Sequence, residues 1–470
     1  MTDLPDLANL TVKEKDELIL ALSIQVKTLT AEVAELKGRL ALTSRNSSKP
    51  PSTDGLSKPA PKPKSLRIPG RNPTGGQKGH TGHTLKKVEK PDHIKSHSAA
   101  SHCDECHAPL EGGTVIETRQ VFDLPTLRHE VTEHQVLETK CSCGKVHRGV
   151  FPENVTASVQ YGPRIMATAV LMTNHHMIPV ARTGELIGDL FDLPMSDGTI
   201  LKANEEARSL LEPTVKTIAS ALQVAPVAGA DETGMRVAGK LHWMHILVTT
   251  SLTWMACHTK RGKKAFDDLG ILPLFMGTLI HDGWKPYREL LCKHGLCNAH
   301  HLRELTYQFE ELKQTWAKRM IELLVAACHE VTSVGGPLSK ERLAHYHLAY
   351  EEILVEGEAA NPQAPPIPGK KGKTPQSKGF NLLGRLRNYK HDVWRFATDP
   401  GVPFTNNWSE QAGRMSKVKQ KIAGCFRTKK GIDTYCTIRS YLATMQKQRA
   451  NLYQSLVLTF QGKTPQPKLA

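Results

Sequence analysis

The chain has 470 residues, with 62 Lys plus Arg against 46 Asp plus Glu and a formal net charge of +16. That length exceeds what one hydrophobic core usually fills, about 250 to 300 residues, so several domains are expected, and the positive excess suits a partner carrying many phosphates. No apolar run nears the roughly 20 residues that span a bilayer, and Asp3 and Asp6 break the basic start of a secretory signal, so a cytoplasmic protein without a membrane partner is expected.

Residues 11 to 42 lack proline and carry a heptad, with Ile19, Val26, Val33 and Leu40 at one position and Leu22, Leu29 and Leu36 at the other. β-Branched residues at a with Leu at d favour a parallel two-stranded coiled coil. Residues 1–45 are therefore expected to pair chains, at least as a homodimer; an amphipathic helix packed on its own domain is the alternative. Residues 46–95 form an arm rich in Pro, Gly, Ser and Lys, in which ten basic residues between Lys49 and Lys90 face only Asp54 and Glu89. Such a composition cannot fold alone, which leaves an arm that orders on DNA or a plain linker.

Ten cysteines are too sparse for a disulfide-stapled secreted chain of this length. Cys103 and Cys106 have the spacing of a metal knuckle, and 34 residues separate Cys106 from the tighter pair Cys141 and Cys143. A small module over 96–155 with structural Zn2+ is expected, and the single residue between Cys141 and Cys143 leaves open whether His102, His107 or His147 replaces one sulfur. Residues 156–223 read as a helical DNA-binding region. Within it, two amphipathic segments about Leu193-Pro-Met-Ser-Asp-Gly are either a helix-turn-helix or ordinary helical packing.

From Val224 the pattern changes to short apolar runs. Val224 to Ala230, Leu241 to Thr249 and Thr253 to His258 predict three consecutive strands, a helix follows around Lys264 to Leu269, and Gly277 to His281 predicts a fourth strand. The expected class is α/β, a mixed layer architecture. Helical pattern fills 301–399 and resumes over 400–450, leaving 451–470 as a C-terminal tail.

Asp231 follows the first of these strands, Asp282 follows the fourth, and Glu410 opens a helix. Acids at strand ends and a nearby helix can converge on two divalent cations that clamp a scissile phosphate, although an acid ending a strand is by itself more often a turn former or cap. Glu232 competes with Asp231, but side chains alternate along a strand and only one can face the site. His300 and Arg303, after a presumed fifth strand, are auxiliary candidates for phosphate contact or water orientation, against a merely packed histidine. Residues 411–430 hold seven basic residues and no acid. Arg414, Lys417, Lys419, Lys421 and Arg427 among them are expected to track a DNA backbone rather than form a solvated face.

The runs Ala230-Asp-Glu-Thr-Gly, Leu279-Ile-His-Asp-Gly-Trp-Lys-Pro-Tyr, Cys297-Asn-Ala-His-His-Leu-Arg-Glu-Leu and Asn406-Asn-Trp-Ser-Glu-Gln, in this order, resemble the insertion-sequence-sixty-six family of DDE transposases. The zipper, the Gly75 to His83 arm, the cysteine cluster and Tyr161-Gly-Pro-Arg resemble the family's other regions. The resemblance implies a ribonuclease-H-like catalytic core in 224–300 and 400–450, with 301–399 as a helical insertion. It also implies Asp231, Asp282 and Glu410 as catalytic residues holding two Mg2+ ions, or Mn2+, for DNA cleavage and strand transfer. Lys78 and His80 of the arm would contact transposon-end DNA, and small accessory proteins of the same element would assist. Rival readings are a transposase-derived DNA-binding protein that has lost catalysis and a structure-specific nuclease that cuts without joining.

Overall fold

The computed structural model describes residues 11–43, 46–47, 85–97, 101–366 and 372–469. Lys78 and His80 lie outside these residues. Helix α1, Val12–Leu40, carries the whole predicted heptad as one exposed stripe, with Leu29 52% and Leu36 54% accessible. Among the described residues nothing covers this apolar stripe, which speaks against a helix packed along its own domain. Tyr307 touches α1 near its end, donating to the Gly38 carbonyl at 3.4 Å. The region from residue 101 to 160 is largely extended and exposed, and its regular structure is an antiparallel pair, β1 (Glu138–Lys140) and β2 (Val146–Arg148).

The remainder packs as layers about one sheet. Helices α2 (Pro163–Asn174), α3 (Val180–Phe191) and α4 (Asp197–Gln223) precede strands β3 (Val227–Val237), β4 (Lys240–Val248) and β5 (Thr253–His258). After α5 (Lys263–Leu269) come β6 (Thr278–His281), α6 (Lys285–Arg288) and β7 (Lys293–Leu296). The strand order is β5-β4-β3-β6-β7, antiparallel among β3, β4 and β5 and parallel from β3 through β6 to β7. Ala238 and Gly239, both with positive φ, close the first hairpin in two residues, the tight turn whose twist suits paired strands. A parallel partner needs a crossover instead, and α5 supplies it.

Helices α7 (Asn298–Glu310), α8 (Thr315–Val334), α9 (Lys340–Ala360), α10 (Lys378–Asn388) and α11 (Lys390–Thr398) fill the predicted insertion. They share one core, built on Trp316, Tyr350, Leu382 and Trp394, with Ile280 of β6 and Leu296 of β7, so the insertion is joined to the sheet by buried apolar surface. Helices α12 (Asn407–Ala423) and α13 (Lys429–Lys447) cover the β3-β4-β5 side, where Met235, Met244, Ile246 and Met255 meet Ile432 and Tyr435. Helices α4 and α5 cover the opposite face through Leu222, Ala228, Leu279 and Phe266.

The expected C-terminal tail is core: α14 (Leu452–Phe460) buries Leu456 and Val457 against α2 and α4, and Gln466 reaches the Thr214 hydroxyl at 3.0 Å. The mean apolarity of that short segment is what drives it inward. The first strand does not end before Asp231 but continues to Val237, because β4 pairs with it over its whole later half. Helix α4 is buried along its length, with Ile200 beside Ile187 of α3, Ala203, Ala207 and Leu211 against α2, α13 and α14, and Ile218 in the core under the sheet. Among the described residues, no helix is long and apolar enough to cross a membrane.

Candidate active site

Strand alternation decides which acids can meet. Gly229, Asp231 and Met235 lie on the α12 face of β3, whereas Ala228, Ala230 and Glu232 lie on the α5 face. Parallel pairing of β3 with β6 ends at Gly229 opposite Ile280, and Asp231 and Asp282 each stand two residues beyond that pair. Both carboxylates therefore emerge from the same end of the sheet on the same face. Asp282 follows the last residue of β6, and its Oδ1 accepts the Trp284 N–H at 2.8 Å across a turn made by Gly283, whose φ is +87°.

Glu410 arrives from the first turn of α12, and Asn406 fixes where that helix starts. The Asn406 side-chain amide donates to the Ala230 carbonyl at 2.7 Å, its own backbone N–H meets Cys297 Sγ at 3.1 Å, and Ser409 Oγ donates to Asn406 Oδ1 at 2.5 Å. Gly229 makes this approach possible, since a methyl group there would run into Asn406 and Ser409. The carboxylates feel one another. Burial first, then the charges of Glu232, Glu410 and Asp282, push Asp231 up to about 8, although the Glu232 backbone N–H opposes the shift.

The neighbours divide into cations at the site and groups that serve the scaffold. Arg303 Nη2 is 3.8 Å from Glu410 Oε2, while Glu410 Oε1 is buried without a hydrogen-bond partner among the described residues. His300 faces the same place: burial, then Arg303, lower its pKa, while Glu410 and Asp282 oppose them, and its Nδ1 has no partner. His301 is instead buried and bonded to Asn298 Oδ1 at 3.0 Å. Glu232 is spoken for on the far face. Arg261 donates to its Oε1 through Nε at 2.8 Å and Nη2 at 2.5 Å, Tyr287 donates to Oε2, and the Arg261 guanidinium lies 4.0 Å above Trp284. Sequence reasoning assigned no role to Cys297, Asn406, Ser409 or Gly229. The first three lie inside the runs that carry the family resemblance, which was the available signal.

The basic run after Glu410 does not behave as one face. Arg414, Lys421 and Arg427 are exposed, with no ion pair recorded among the described residues. Lys417 donates to the Gly234 carbonyl and sits within reach of the charge on Asp231. Lys419 departs from its expected place on the DNA-facing surface. Its ammonium donates to the Thr173 carbonyl at 2.8 Å and lies 5.3 Å from the Tyr435 ring, and burial pushes it down to about 8. Helical periodicity explains this, since Lys419 and Ser416 fall on the inward side of α12, three residues apart. Lys429 and Lys430 are paired with Asp433 and Glu205, acids that stand outside the run.

The cysteine pairs form two separate turns. Cys103 N–H donates to the Ala108 carbonyl and His107 N–H to the Cys103 carbonyl, while Cys141 closes the β1-β2 turn with Lys145 and Gly144. Backbone N–H groups of Cys106 and Glu105 hold the Cys103 thiol below its usual range, and that of Cys143 does the same for Cys141. Each turn is thus shaped to favour a thiolate. The two pairs do not come together into a group with ligand atoms within 4.8 Å.

Residues 158–434 match the profile described as the Transposase IS66 family, a span that covers more than half of the chain and includes all three acids. Residues 2–86 match a family of unknown function, DUF6444. No curated protein matches the chain.

Proposed function

The chain belongs to the IS66 family of transposases, and from that premise we propose that it cleaves and joins DNA at the sheet end occupied by Asp231, Asp282 and Glu410. The observation that carries this reading is the convergence of three carboxylates from β3, β6 and α12 in one partly buried place. There Asp231 is driven toward its protonated form and Glu410 Oε1 is left unpartnered. Such an excess of oxygen ligands over cations fits Mg2+ or Mn2+. Two bound ions would activate the attacking oxygen and neutralise charge on the leaving oxygen of a scissile phosphate.

The protein's own groups do the rest. The Asn406 clamp holds Glu410 against β3, and Arg303 and His300 stand where they can orient a phosphate oxygen or an attacking water. Exposed Arg414, Lys421 and Arg427 bind the DNA backbone near the cut. We read the sheet as a ribonuclease-H-like core, with acids on its first and fourth strands and a helical insertion before the third acid. The exposed heptad of α1 pairs two chains, the arm with Lys78 and His80 engages transposon ends, and Cys103, Cys106, Cys141 and Cys143 would hold structural zinc once their two turns close on each other. The protein would act on element and target DNA in the cytoplasm, with small accessory proteins of its element.

The test is cleavage and joining of end-containing duplex DNA with Mg2+. Asp282→Asn and Glu410→Gln keep shape but remove a charged oxygen ligand, and each should lower the cleavage rate at least ~100-fold while leaving DNA affinity unchanged or slightly higher. Cleavage by Asp282→Asn near the parent's rate would overturn the assignment. Joining as well as nicking by the parent distinguishes a transposase from a nuclease.

A further inference from the structure

Cys297, His300 and Glu410 meet where the N-termini of α7 and α12 converge. One sulfur, one ring nitrogen and one carboxylate oxygen lie within 4.8 Å of one another, the one such group of three found among the described residues. Cys297 is the cap residue of α7 and His300 stands three residues on in its first turn, a spacing that puts both on one side of the helix. Two of the three ligands also carry buried atoms with no hydrogen-bond partner among the described residues, His300 Nδ1 and Glu410 Oε1. Folded proteins rarely leave two such groups unmet in one place without a ligand to satisfy them. The sulfur is held in position by the Asn406 N–H at 3.1 Å.

The geometry points to a second metal-binding mode at this site, in which a thiophilic divalent ion of the zinc class is bound by Cys297 Sγ, His300 and Glu410. A sulfur, nitrogen and oxygen set is foreign to Mg2+, which takes oxygen ligands, and suits Zn2+ or its spectroscopic stand-in Co2+. In a tetrahedral zinc centre the ligand atoms stand roughly 3.3 to 3.8 Å apart, so side-chain movements of about an ångström close the group. Three protein ligands leave the fourth position to water. Binding breaks the Cys297 S–H bond, forms the sulfur–metal bond and releases the proton to solvent.

The consequence rests on the reading of Glu410 as a catalytic carboxylate. An ion held by Cys297 and His300 withdraws Glu410 from the magnesium site, so zinc inhibits at concentrations far below those of Mg2+, as the order of divalent affinities for nitrogen and sulfur ligands dictates. Cysteine at 297 then makes the transposase sensitive to free zinc.

The full-length protein, loaded beforehand with one equivalent of Zn2+ to fill the Cys103, Cys106, Cys141 and Cys143 turns, is titrated with Co2+. The readout is the near-ultraviolet thiolate-to-cobalt band. The parent should gain one further cobalt with that band, and Cys297→Ser and His300→Gln should lose it. Absence of the band from the parent, or its persistence in Cys297→Ser, overturns the site. His300→Gln keeps the sulfur and its bond to Asn406, so it reports on the site even if Cys297→Ser folds poorly. In the cleavage assay, with each protein scaled to its own zinc-free rate, His300→Gln should need at least ~10-fold more Zn2+ for half inhibition. Equal zinc sensitivity overturns the inhibitory role. A parent that never cleaves with Mg2+ refutes the reading of Glu410 instead, and the cobalt band still decides the metal site.

Discussion

Asp231 and Glu232 are adjacent acids with opposite fates, and the difference follows from which side of β3 each occupies. Glu232 is paired with Arg261 and hydrogen-bonded by Tyr287, whereas Asp231 is pushed up to about 8 by burial first and then by the charges of Glu232, Glu410 and Asp282. A carboxyl whose folded pKa is raised binds its proton more tightly in the folded state. From its ordinary value of 3.8 up to about 8 the folded protein therefore holds the extra proton, and stability falls as pH rises through that window. Asp231→Asn removes this loss. Metal-free Asp231→Asn should melt close to the parent near about pH 4 and gain on it toward about pH 9, by ~1 to 3 kcal/mol. Millimolar Mg2+ should narrow the gap by stabilising the parent. A difference that does not vary with pH would show that burial and the neighbouring acids do not raise the Asp231 carboxyl. Alternation along a strand predicted that only one of the two acids could serve, but Arg261 and Tyr287, 29 and 55 residues away in sequence, made Glu232 the structural member.

At the scale of elements, α1 and α12 show how periodicity is read with and without a partner surface. The heptad of α1 was legible because its seam repeats over more than three turns and nothing in the chain interrupts it. That seam stays exposed on one chain. Replacing Leu29 and Leu36 together by Lys should convert the protein to monomers, measured as mass by light scattering, and an unchanged mass would remove α1 as the pairing element. The charge on α12 was legible only as composition. A run of seven cations without an acid looked uniform, but the helix turns Lys419 inward to the end of α2 while Arg414 and Lys421 point outward.

On the proposed reading the whole molecule binds DNA through the cations exposed at its surface, and this separates Lys419 from its neighbours. Each phosphate contact adds about 0.9 to the magnitude of the slope of log affinity against log salt. Arg414→Ala and Lys421→Ala should each lower that magnitude by roughly 1, whereas Lys419→Met should leave it unchanged. A lowered slope in Lys419→Met would return that lysine to the DNA surface. A net charge of +16 favours non-specific attraction to any polyanion, so the salt slope rather than bare affinity is the informative quantity.

By itself the sequence determined the strand and helix succession from Val224 to Asp282, the heptad, and the three acids as candidates, because each rests on local periodicity or on residue order. Only the tertiary structure decided that β3 runs past Asp231, that residues 452–460 complete the helical core, and that Cys297 and Asn406 tie α7 to α12 beside Glu410. The first depends on which strand pairs with β3, and the other two on packing between segments more than a hundred residues apart, as Asn406 is from Cys297 and from Ala230. No local pattern encodes such a contact, since its free energy comes from surfaces that meet only after the chain has folded.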